Sequence, residues 1–67
     1  MRSSEFFGHR IGTPVSTIRD HADILHGHWP DLDDDRRRLA VDTIARQARQ
    51  LDDTVHEVLT MVAVDAG

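Results

Sequence analysis

From Val41 to Val62 the apolar residues of this chain recur at steps of 3, 4, 3, 4, 3 and 4: Val41, Ile44, Ala48, Leu51, Val55, Val58 and Val62. That period belongs to an α-helix, whose turn of about 3.6 residues gathers such positions onto one side. Ala40, Ala45, Leu59 and Ala63 widen the apolar face. Asp33 is placed to cap the helix, and Asp34 and Asp35 in the first turn suit the positive end of its dipole. The spacing therefore predicts a helix from about residue 34 to about residue 64.

A second seam precedes it, through Ile11, Val15, Ile18, Ala22, Leu25 and Trp29, at steps of 4, 3, 4, 3 and 4. Phe7 extends it by one turn. Gly27 and Pro30 are stop signals, so a first helix is expected from about residue 4 to about residue 27. Pro14 lies inside it and is expected to bend it, since proline lacks an N–H and crowds the carbonyl of Arg10. The segment from His28 to Leu32 reads as a tight connection, with Trp29 covering the end of the bundle.

Two long helices joined by a short turn give an all-α antiparallel hairpin. With 67 residues and no cysteine, such a chain closes little core alone and has no disulfide to support it. The expectation is a homodimer, two hairpins forming a four-helix bundle with the second helix supplying much of the interface. A hairpin that belongs to a larger helical protein is the alternative. At 39% hydrophobic and 30% charged, the composition suits a soluble helical protein rather than a disordered one. No apolar stretch approaches the roughly 20 residues that span a bilayer, so no membrane contact is expected of this segment. A formal net charge of −4 argues against nucleic acid as a partner.

The chemistry-bearing stretch runs from Phe6 to Arg19. At about 100° per residue, His9 points roughly 160° away from Ile11, and so toward solvent. Thr13 and Ser16 share that outer face. The arrangement Phe6-Phe7-Gly8-His9-Arg10-Ile11-Gly12-Thr13-Pro14-Val15 resembles the H-box of the dimerisation and histidine phosphoacceptor domain of two-component sensor histidine kinases. His9 matches the phosphorylated histidine of that family, and Thr13 and Pro14 match its Thr-Pro pair. Ile11 and Val15 stand for its two leucines, and Ile18, Ala22, Ile24 and Leu25 continue its apolar pattern. The resemblance covers the whole chain, residues 1–67.

That resemblance implies a phosphoprotein in a phosphorelay. His9 would accept the γ-phosphoryl group of ATP and pass it to an aspartate on a response regulator receiver domain. ATP and Mg2+ would be held by a separate ATP-binding catalytic domain, with no cofactor or metal bound by this chain. The regulator would dock along Ser16, Thr17 and Asp20. Thr13 would serve dephosphorylation. A cytoplasmic location is implied, with a parent protein that could be membrane-anchored. A phosphotransfer-only or degenerate module, and a purely structural dimerisation hairpin, are the competing readings.

Two positions depart from the family. The acidic residue that follows the histidine is replaced by Arg10, which stays protonated and cannot act as a base. The arginine before Thr-Pro is replaced by Gly12, which lowers helix propensity. Glu5, one turn before His9, is a candidate to supply the missing carboxylate. Elsewhere, His26 and His28 beside Asp31 lack further ligands at zinc-like spacing. Asp31, Asp33 and Asp35 imitate a calcium loop but meet Arg36 where glycine is required and Asp42 where glutamate is. His21 and His56 have no constellation around them.

Overall fold

The computed structural model describes the backbone of residues 2–66 and the side chains of residues 8–64. Helix α1 spans Arg2–His28, a one-turn 3₁₀ helix spans Trp29–Asp31, and helix α2 spans Asp34–Ala66. The sequence-based bounds were 4–27 and 34–64. The helices fold back on each other as a rod of 51 × 19 × 13 Å. No strand occurs among the described residues, so the chain is an all-α hairpin.

The turn is built from three local devices. Pro30 suits the start of the 3₁₀ turn, where a missing N–H costs nothing. Asp33 caps α2: its Oδ1 accepts a hydrogen bond from the Arg36 backbone N–H at 2.8 Å. Arg37 reaches back from the first turn of α2, donating from Nε at 3.1 Å and Nη2 at 2.6 Å to the Trp29 carbonyl oxygen. Its guanidinium also lies 4.2 Å from the centroid of the Trp29 ring. Trp29 therefore does not close a bundle end within this chain. It stays half exposed and is held by a stacked cation.

Contact between the helices splits each apolar seam in two. Ile11, Ile18 and Leu25 on α1 and Ile44, Leu51 and Val58 on α2 are half-buried, facing each other around buried Pro14, Ala40 and Thr54. The alternate members of the same seams are exposed: Val15 and Ala22 on α1 with Trp29 just after it, and Val41, Ala48, Val55 and Val62 on α2. Each seam is therefore divided between a core-facing line and an exposed one. A stripe at 3/4 spacing is about 100° wide, and one partner helix covers only one flank of it. In an antiparallel pair, helical geometry puts both exposed series on the same side of the hairpin.

Polar groups inside the contact satisfy themselves locally. Thr54 Oγ1 donates to the Gln50 carbonyl at 3.0 Å, and His21 Nδ1 donates to the Thr17 carbonyl at 2.8 Å. No buried side-chain N or O lacks a partner among the described residues.

Candidate functional site

α1 runs unbroken through Pro14, yet its first half is locally soft. Proline removes the N–H that would bond the Arg10 carbonyl. Gly12 adds backbone freedom. Thr17 Oγ1 donates to the Thr13 carbonyl at 3.0 Å, a back-bond that slightly destabilises and bends helices. These residues lie within two turns of His9.

His9 is exposed, as are Thr13, Ser16 and Asp20 on the same face. Together with Gly8, Gly12 and half-buried Thr17 they line an open groove along α1. A Cβ built on Gly8 or Gly12 would meet nothing within 4 Å, so among the described residues nothing crowds these two positions beside the imidazole. Among the described residues neither the His9 ring nor the Thr13 hydroxyl has a hydrogen-bond partner, and Thr17 has spent its donor on the backbone.

At about 100° per residue, His9 lies roughly 140° round α1 from Pro14 in one sense, and the exposed Val15, Ala22 and Trp29 series lies roughly 60–100° in the other. The site and the uncovered apolar stripe thus occupy opposite flanks of the hairpin. A chain that paired through the stripe would leave His9 open.

Arg10, one residue on, turns toward α2. Its guanidinium pairs with the Glu57 carboxylate across 47 residues of sequence. Among the described residues this is the one ion pair joining α1 to α2. Sequence reasoning took account of Arg10 but missed Glu57, because nothing local links them. The side chain of Glu5, the candidate base, lies outside the described residues, as do those of Phe6 and Phe7. His26, His28 and Asp31 do not assemble a site: no group of three or more His, Cys, Asp or Glu residues that could hold a metal occurs among the described residues. No helix there is long and apolar enough to cross a membrane.

Residues 7–67 match the His Kinase A (phospho-acceptor) domain. The chain belongs to that family. No curated protein and no solved structure gives a significant match. The family is that of histidine kinases, so a His Kinase A domain contributes to a phosphotransferase, and its place is in two-component signalling.

Proposed function

We propose that this His Kinase A domain is the phosphoacceptor and dimerisation module of a two-component sensor histidine kinase, with His9 as the acceptor. The observation that carries this reading is an exposed imidazole, without a hydrogen-bond partner among the described residues, on the flank opposite the uncovered apolar stripe. Neutral imidazole is a good nucleophile, and a phosphoryl donor must approach it in line from solvent.

A ring nitrogen of His9 attacks the γ-phosphorus of ATP held by a separate catalytic domain. The new N–P bond forms as the bond to the bridging oxygen breaks, and ADP leaves with that electron pair. Mg2+ travels with the nucleotide and offsets its charge. The phosphoryl group then passes to a carboxylate oxygen of a receiver aspartate, returning the electron pair to the ring nitrogen. Thr13, one turn along, stands where its hydroxyl can orient a water for dephosphorylation. Ser16, Thr17 and Asp20 extend the same face for regulator docking. A second copy of the chain covers Val15, Ala22, Val41, Val55 and Val62 to complete a four-helix bundle.

Arg10 in place of a carboxylate favours one variation, in which the module receives its phosphoryl group from another phosphoprotein. Both forms are tested by mixing the chain with Mg-ATP and a histidine kinase catalytic domain, and separately with a phosphorylated receiver domain. Acid-labile, alkali-stable label lost in His9→Gln is expected. Label from the receiver alone selects the relay form. Label from neither source, in an intact dimer, selects a purely structural hairpin.

A further inference from the structure

The Arg10–Glu57 pair lies beside the acceptor, on the same flank of the hairpin, and ties the turn carrying His9 to α2. Glu57 is half exposed and Arg10 one-third exposed, so solvent screens their attraction and the pair is weakly held. A phosphoryl group on the adjacent residue would carry close to two negative charges and three strong acceptor oxygens. Guanidinium binds such a group through two parallel N–H···O bonds, and a phosphoryl dianion competes with the Glu57 carboxylate for it. Arg10 is within reach, because it follows His9 directly and its stem is long and flexible.

We propose that Arg10 is the residue that takes up the charge of the phosphoryl group on His9, and that Glu57 holds it until that group arrives. Phosphorylation then transfers the guanidinium from Glu57 to the phosphoryl oxygens and releases the one ion pair that joins α1 to α2 among the described residues. The modification is thereby converted into a looser contact between the helices at the level of the acceptor. This rests on His9 being the acceptor, and the test separates the two ideas.

Phosphoramidate labels exposed imidazoles without any kinase. The ring nitrogen forms an N–P bond as the reagent's own P–N bond breaks and ammonia leaves; the imidazole sheds a proton to solvent. The Glu57 carboxylate 13C resonance is followed in the unmodified and labelled chain, in a His56→Gln background that removes the exposed ring beside Glu57, with Arg10→Gln as the reference for a broken pair. Labelling of His9 is expected to move the Glu57 resonance to its position in Arg10→Gln, and to leave it still in the Arg10→Gln chain itself. A Glu57 resonance that ignores His9 labelling overturns the proposal. So does an identical resonance in the unmodified parent and Arg10→Gln chains, or a His9 that stays unlabelled while His26 and His28 react. Mg-ATP with a catalytic domain, run in parallel, reads the acceptor assignment alone: a shift with phosphoramidate and no label from ATP retires the kinase reading and keeps the role of Arg10.

Discussion

His56 Nδ1 sits 2.8 Å from the Asp52 carbonyl oxygen and 3.3 Å from its carboxylate, on an exposed face of α2. The backbone hydrogen bond to Asp52, and then the charges of Asp52 and Asp53, raise its pKa above the ordinary histidine value against the opposing effect of desolvation. The folded chain therefore favours the protonated ring. Its contribution to stability is complete below the unfolded pKa of about 6.5 and is lost as pH rises through the folded value. Imidazole proton shifts followed against pH should place the His56 midpoint above that of a free histidine, and Asp52→Asn should lower it. At the turn, Asp33→Ala removes the cap that binds the Arg36 N–H. It should cost about 1 kcal/mol in urea unfolding, whereas Asp33→Asn, which keeps the acceptor oxygen, should cost much less.

At the level of the helices, Gly12 lowers helix propensity within α1, one turn from His9. Open space surrounds its Cα, and its backbone is ordinary helix, since no glycine among the described residues has a positive φ. Gly12→Ala should therefore stabilise the chain by about 0.5–1 kcal/mol in thermal unfolding, and a loss of stability would mean the helix is not continuous there. These helices were legible because 3/4 spacing, Asp33, Gly27 and Pro30 are local signals. The outward direction of His9 was legible for the same reason, following from its offset to Ile11. The division of each seam was not: Ile44 and Ala48 obey one periodicity, yet only Ile44 meets α1. Nor was the Arg10–Glu57 pair, whose partners lie far apart in sequence. Arg37 was hidden within the run Arg36-Arg37-Arg38, and only the folded turn shows that the middle arginine clamps Trp29.

The hairpin as a whole has two unlike flanks. One shows Val41 at 48%, Val55 at 38% and Val62 at 58% exposure, spaced by multiples of seven like one edge of a coiled-coil seam. The other carries His9, Thr13 and Asp20 around an open groove. Among the described residues only Pro14 and Ala40 are buried apolar side chains, too little core for a domain of this size to stand alone. Val55→Glu should then convert a dimer to a monomer in sedimentation velocity and cut helicity with it, while Ser16→Glu on the opposite flank should leave the dimer intact. The division of labour between flanks turns on where phosphate lands among the five histidines. Fragmentation mass spectrometry of the chain, after incubation with Mg-ATP and a histidine kinase catalytic domain, reads this directly. The account predicts phosphate on His9 alone; phosphate on His21, His26, His28 or His56 with His9 unmodified would contradict it.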